Sequence, residues 1–230
     1  MEYLYLILNI GSISVPFLFS FHPKIKFYKL WKSLSINILF TMLIFIPWDI
    51  IFTANGIWGF NDTYFLGYKI FKLPLEEWLF FICIPYACVF THYALLYYFP
   101  KLSLSKSLSK KVTYSILLIL ILATIFNYDK WYTFVNFTLA IVLTTYVFFK
   151  RPGILQEYYL TFLVMLIPFF IVNGILTGSF IDNEVVWYNN AENLNIRLFT
   201  IPIEDTVYAF SMILMNLAIV KFLNKTPLSN

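Results

Sequence analysis

Two short acidic segments of this chain carry the residues best suited to chemistry. Pro74-Leu75-Glu76-Glu77-Trp78-Leu79-Phe80 and Pro202-Ile203-Glu204-Asp205-Thr206-Val207-Tyr208 share one pattern: proline, a spacer, glutamate, a second acid, two more residues and an aromatic ring. Each opens a long apolar run. Proline suits the start of a helix, where its missing N–H would find no intrahelical partner. Acids in a first turn complement the helix dipole. That explains one acid per helix, but explains less well why a second acid stands beside it both times. Ionisable groups in membrane helices mark functional sites. Consecutive helical residues point about 100° apart, so one acid of each pair faces the bundle and its neighbour the loop or backbone. Glu76 lies four residues before Phe80 and Glu204 four before Tyr208. This i,i+4 spacing predicts that Glu76 and Glu204 look inward beside a ring.

Carboxyls gathered in a dry site cannot all ionise, because like charges and desolvation oppose it. A protonated carboxyl beside an ionised one is an acid/base pair. Aromatic faces add stabilisation for a cation. Together these groups suit carbocation chemistry: one acid delivers a proton, rings hold the cation, and a carboxylate removes a proton. No redox cofactor is needed. No Gly-x-Gly-x-x-Gly follows a strand, and no Asp-x-x-x-Asp pair marks a magnesium–diphosphate site. His22 and His92 are the only histidines, too few for a histidine-built metal centre, and both read as incidental. Neither cofactor nor metal is therefore expected. Lys221 stands at the inner end of the last helix rather than midway, which argues against a retinal-binding photoreceptor.

The elements that position these acids are membrane helices. Of 230 residues, 60% are hydrophobic and 12% charged, so the solvent for this chain is lipid. Aromatics reach 21%, more than interfacial belts require, and imply rings around an internal site. Seven segments are long enough to span: Tyr3–Phe21, Ser33–Thr53, Pro74–Phe99, Lys111–Asn127, Trp131–Phe149, Tyr158–Gly178 and Ile201–Leu223. The fold class is thus all-α integral membrane with seven transmembrane helices. With the N-terminus outside, inner loops hold Lys24, Lys26, Lys29, Lys32, Lys101, Lys106, Lys110, Lys111, Lys150, Arg151, Lys221 and Lys225, which satisfies the positive-inside rule. Outer acids are Glu2, Asp62, Asp129, Asp182, Glu184 and Glu192, against Glu157 alone inside. The reading is a cell-membrane protein with its C-terminus cytoplasmic. The first apolar segment lacks a basic leader, so a cleaved signal peptide is not expected. Cys83 and Cys88 fall on one helix and cannot pair with each other. The net charge of +4 comes from loop lysines and does not suggest nucleic acid.

An internal duplication joins the two acidic segments. Helix two carries Ile46-Pro47-Trp48-Asp49 and then Thr53; helix six carries Ile167-Pro168, then Asn173 and Thr177. In both, a polar residue precedes a threonine by one helical turn. A Trp-bearing loop follows, Asn55–Leu73 or Gly178–Thr200, long enough to fold over the membrane face as a lid. Helices two and three therefore read as a copy of helices six and seven, set parallel, with both acidic motifs near the outer face about a pseudo-two-fold axis. The repeats divide the chain at 1–110 and 111–230.

These residues resemble the membrane-integral lycopene cyclase domain family of carotenoid biosynthesis. The resemblance rests on Leu73-Pro74-Leu75-Glu76-Glu77-Trp78-Leu79-Phe80-Phe81 and Ile201-Pro202-Ile203-Glu204-Asp205-Thr206-Val207-Tyr208, supported by Pro47-Trp48-Asp49 and Val172-Asn173-Gly174-Ile175-Leu176-Thr177-Gly178. Trp78 stands where that family more often has Phe or Tyr. The resemblance is to the fused form and implies redox-neutral cyclisation of a linear ψ-end group, to a β-ring in the commoner outcome. It implies a linear C40 carotenoid dissolved in the bilayer as partner, with other carotenoid-pathway enzymes nearby. Glu76 and Glu204 are then expected as proton donor and acceptor in either order, with Glu77 and Asp205 orienting or tuning them. Asp49, Thr53, Asn173 and Thr177 are expected as supporting or wall residues, and Trp78, Phe80 and Tyr208 as rings. A seven-helix transporter or receptor and a non-catalytic carotenoid-binding protein are the competing classes. A transporter would carry polar groups through the midplane, and helices four and five read as poor in them.

Overall fold

The computed structural model describes residues 1–224; Lys225, counted above with the inner lysines, lies outside them. Its helices are α1 (Leu4–Phe19), α2 (Trp31–Ala54), α3 (Leu75–Tyr98), α4 (Lys106–Phe126), α5 (Trp131–Lys150), α6 (Pro152–Leu176) and α7 (Ile203–Leu223). Six of them, α2 to α7, are long and apolar enough to cross a membrane. The first is shorter than the expected segment Tyr3–Phe21: its 16 residues rise about 24 Å, against roughly 30 Å of hydrocarbon.

Other boundaries shift for local reasons. Pro152 opens α6 six residues before the apolar run, so Gln156 and Glu157 belong to the helix. In α4 the Ser105 hydroxyl accepts the Leu108 N–H at 3.2 Å, which starts the helix on the basic stretch rather than at Lys111. In contrast, α7 starts two residues late because Ile201-Pro202 pairs as a strand.

Helices α3 and α7 stand at the centre. The α1 helix packs along α3, and α5 packs along α7; α2 and α6 each touch both central helices. The α4 helix leans on α5 from outside. The half of the bundle away from the acidic helix ends, called inner from its expected side, is filled by a cluster that includes Phe27, Leu34, Phe90, Tyr158 and Leu217. Polar pins hold the seams. Asn37 of α2 donates to Asn216 of α7, and the Tyr158 hydroxyl donates to the Phe210 carbonyl at 2.7 Å.

The long loops after α2 and α6, called outer from their expected side, fold into strands over the acidic helix ends. Strand β1 (Trp58–Phe60) pairs antiparallel with β4 (Val186–Tyr188), with Trp58 opposite Tyr188 and Gly59 opposite Trp187. A β-carbon at Gly59 would sit 2.3 Å from the Trp187 ring, so only glycine lets the two strands close. Two small hairpins complete the cover: β2 (Lys69–Ile70) with β3 (Leu73–Pro74), and β5 (Arg197–Leu198) with β6 (Ile201–Pro202). They match in register, Lys69 opposite Pro74 and Arg197 opposite Pro202. Each feeds its proline directly into the central helix.

Candidate active site

The N-termini of α3 and α7 present two acids each, and the hairpins decide where they point. The β2–β3 hairpin brings the Leu66 N–H over α3, where it donates to Glu76 Oε1 at 2.9 Å. The second hairpin brings the Leu194 N–H to Glu204 Oε1 at 2.7 Å, and the Thr133 hydroxyl donates to the same oxygen at 2.7 Å. Asn9 and Asn136 donate to the backbone carbonyls of Glu76 and Glu204 at 2.8 and 2.6 Å. Both glutamates are fully buried against the loops, and each leaves Oε2 without a partner among the described residues. The expectation that Glu76 and Glu204 face the centre is therefore corrected: they tie the outer loops to the central helices. The i,i+4 spacing to a ring could not decide this, because the next acid lies i,i+3 from the same ring and shares its face as well.

Glu77 and Asp205 are the inward acids. They line one cavity of about 650 Å³ bounded by α1, α3, α6 and α7 and closed on the outer side by β1 and β4. Glu77, Phe80, Ile84, Ala87 and Thr91 follow one stripe down α3, and Asp205, Tyr208 and Met212 follow the matching stripe on α7. From Glu77 to Thr91 the lining covers roughly 21 Å at about 1.5 Å per residue. The acids occupy its outer end. Below them the wall is apolar, with Phe162, Met165, Phe169 and Val172 of α6.

A third acid joins them. Asp49 of α2 lines the same cavity and is 3% exposed; its Oδ1 accepts from Trp58 Nε1 at 2.6 Å. It shares the cavity lining with Glu77, and its Oδ2 has no donor among the described residues. Two carboxyls that meet in a dry site bond to each other only if a proton sits between them. Glu77 Oε2 also accepts from the Tyr5 hydroxyl.

Asp205 is surrounded differently. Its Oδ1 accepts from the Tyr132 hydroxyl at 2.5 Å, while its Oδ2 accepts from Asn173 Nδ2 at 2.8 Å and from the Tyr188 hydroxyl at 2.9 Å. Three donors on one carboxyl match an ionised, acceptor-only group. Burial and the neighbouring Asp205 push the Tyr188 phenol well above its ordinary range, which keeps it a donor.

Of the residues expected at the site, Asp49, Asn173, Glu77, Asp205, Phe80 and Tyr208 line the cavity. Thr53 and Thr177 do not. Thr177 instead donates to the Asn173 carbonyl at 2.8 Å and bonds Thr200 at 2.8 Å, fastening the end of α6 to its hairpin. Trp78 also lies outside the cavity, with its indole N–H 3.3 Å from the Ile70 carbonyl and its ring tilted against Phe71. His92 is buried at the inner end beside Thr161 at 2.8 Å and does not line the cavity. His22 is exposed.

Sequence reasoning missed Tyr5, Asn9, Tyr132, Thr133 and Asn136. A signal was present: Tyr-x-x-x-Asn occurs at Tyr5 and Asn9 and again at Tyr132 and Asn136. In both copies the tyrosine binds the second acid of a motif and the asparagine binds the first acid's carbonyl. Polar side chains of α5 thus serve the site, contrary to the reading of that helix as poor in them.

The family model for lycopene cyclase matches residues 2–95 and 129–223, and the chain belongs to that family. No curated protein and no solved structure matches it. The two matched segments carry α1–α3 and α5–α7, with α4 outside both. Membership supports a carotenoid-cyclase role, and the apolar helices fit a membrane protein.

Proposed function

We propose that the protein is an intramolecular lyase of the lycopene β-cyclase type, acting on linear ψ-end groups within the bilayer. The observation that carries this is the convergence of Asp49, Glu77 and Asp205 at the closed outer end of one apolar cavity. An end group seated there has its terminal double bond among carboxyls and its polyene along the apolar wall. The Asp49–Glu77 pair supplies the proton. Protonation of the terminal double bond leaves a tertiary cation, and the neighbouring double bond attacks it to close a six-membered ring. The rings of Phe60, Phe80 and Tyr208 line the space where that charge moves. Asp205, held by three donors, takes a proton from the ring carbon next to the final cation. One proton enters and one leaves, so the product is an isomer of the substrate, and returning the proton from Asp205 to the pair resets the site. Asp49 thereby becomes part of the acid rather than a supporting residue, and Glu76 and Glu204 become structural.

The architecture proposed with this activity is a parallel duplication of two three-helix repeats, falling within 1–110 and 111–230, with α1 as a seventh span. Matching hydrogen bonds support it: Leu66 to Glu76 repeats as Leu194 to Glu204, and Asn9 to Glu76 repeats as Asn136 to Glu204. Loop lysines support an outer N-terminus and a cytoplasmic C-terminus. The substrate is lycopene or a similar linear carotenoid. Expression in lycopene-accumulating cells with chromatography of the pigments tests the activity. Ring-bearing product is expected; unchanged lycopene beside well-expressed, membrane-inserted protein refutes it.

A further inference from the structure

The exposed residues of the cavity lining all stand on α1 and α6, and the sizes of residues in the two repeats account for this. Polar side chains fasten α1 to α3 at both ends. Tyr5 and Asn9 reach Glu77 and Glu76, and Ser20 bonds the Tyr86 hydroxyl at 2.6 Å. Among the described residues no hydrogen bond joins α1 to α6. Along that seam Ile7, Gly11 and Val15 of α1, and Pro168 of α6, both line the cavity and lie exposed on the outer wall. Ile7 is 62% and Val15 58% exposed. A β-carbon on Gly11 would meet nothing within 4 Å. Pro16 and Pro168 each remove a backbone hydrogen bond from a helix interior beside the gap.

The corresponding seam lies between α5 and α2, and it is filled. Ser12 and Pro16 have Leu139 and Leu143 as counterparts; Val172 has Trp48, and Ala87 has Met215. Those four larger residues pack with the buried Phe45 in one apolar cluster. Gly11 corresponds to Thr138, whose side chain faces outward.

We propose that the α1–α6 seam is a lateral portal through which the end group of a linear polyene passes from lipid to the carboxyls, and that Gly11 sets its width. The inference rests on the cyclase reading above. The portal faces the hydrocarbon rather than water, as a substrate with no polar group requires. One portal leading to one set of acids also means that a polyene's two ends are handled one at a time.

The test is a graded series, Gly11→Ala, Gly11→Leu and Gly11→Trp, set beside Thr138→Trp on the filled side. Each variant is reconstituted in liposomes with lycopene, and initial rates are measured over a range of lycopene-to-lipid ratios. Stepwise loss of kcat/KM is expected along the series, at least tenfold by Gly11→Trp, with kcat at saturating substrate changed far less. Thr138→Trp is expected to stay within twofold of wild type. If Gly11→Trp fails to insert, the Gly11→Ala and Gly11→Leu steps and a separate Val15→Trp variant carry the comparison. A flat series with active wild type overturns the portal alone. Equal loss in Thr138→Trp also overturns it. Inert wild type overturns the cyclase reading and the portal with it.

Discussion

Replacing Glu77 by glutamine, and separately Glu76 by glutamine, separates the two acids of one motif. The changes preserve size and differ only in which carboxyl loses its proton chemistry. Glu77 lines the cavity together with Asp49 and accepts from Tyr5. A glutamine there keeps an acceptor for the Tyr5 hydroxyl, so the helix end stays assembled, but the proton that the proposal places between Glu77 and Asp49 is gone. General acid catalysis contributes about 10²–10⁴ in rate, equivalent to roughly 2.7–5.4 kcal/mol at about 1.36 kcal/mol per tenfold. Glu77→Gln should therefore lower ring formation by at least about a hundredfold. Among the described residues the Glu76 side chain hydrogen-bonds only the Leu66 N–H. A glutamine oxygen still accepts that bond, and the exchange of a charge-assisted for a neutral acceptor costs about 1 kcal/mol. Even expressed wholly in the barrier, that is about fivefold in rate.

The assay is initial-rate conversion of lycopene in liposomes, normalised to folded protein by size-exclusion chromatography in detergent. The expected result is a Glu77→Gln variant that folds and does not cyclise, and a Glu76→Gln variant that cyclises but melts at lower temperature. The reverse pattern, with Glu77→Gln active and Glu76→Gln folded but dead, would refute the assignment of the inward acids.

Asp205→Asn should lose at least about a hundredfold in ring formation while retaining insertion, measured by the same assay, because an amide cannot take a proton from the ring. Gly59→Ala should lower the melting temperature of the purified protein, at an expected cost of about 1–3 kcal/mol, since its β-carbon would meet the Trp187 ring at 2.3 Å. An unchanged melting curve would mean that β1 and β4 do not pair as described. Cysteines placed at Asp62 and Lys106, in a background with Cys83 and Cys88 replaced by serine, test orientation: a membrane-impermeant maleimide on intact cells should label the first and leave the second until the cells are opened.

Most helices were legible because apolar runs of spanning length leave few alternatives. Their ends were less so. Gln156 and Glu157 lie within α6 yet read as loop, since polarity and helicity part company where a helix leaves the membrane. The carboxyl cluster was legible as a cluster: paired acids at two helix starts, with Asp49 and Asn173 a loop away. Which acid faces inward was not. Glu76 and Glu77 both stand one helical turn before Phe80, and the choice is made by backbone N–H groups of Leu66 and Leu194, which no side-chain pattern encodes. The repeat was read from α2–α3 and α6–α7, where proline, tryptophan and acid draw attention. Tyr5 and Tyr132 lie outside those stretches, although each hydroxyl meets a buried acid.

The three site acids differ in their surroundings more than in their type, and in the proposed mechanism that difference lets a pseudo-symmetric frame support directional proton transfer. Glu77 and Asp205 occupy matched positions on α3 and α7, and each receives a hydroxyl from a matched tyrosine, Tyr5 or Tyr132. The symmetry breaks at the next neighbour. Beside Glu77 stands Asp49, a second carboxyl; beside Asp205 stands Asn173, whose amide donates at 2.8 Å. Carboxyl against carboxyl retains a proton, whereas carboxyl against amide accepts one. Under the proposed mechanism, a single Asp-to-Asn difference between corresponding positions of α2 and α6 gives the two halves opposite roles. The same break appears in packing, where Trp48 fills what Val172 leaves open. Exchanging the two residues, Asp49→Asn with Asn173→Asp, moves the carboxyl pair to the filled side while the polyene still arrives on the open one. If polarity resides in these neighbours, the exchanged protein should fold and lose cyclisation even though its acid count is unchanged. Full activity in the exchanged protein would show that position in the frame, not the partner of each acid, sets the direction of proton flow.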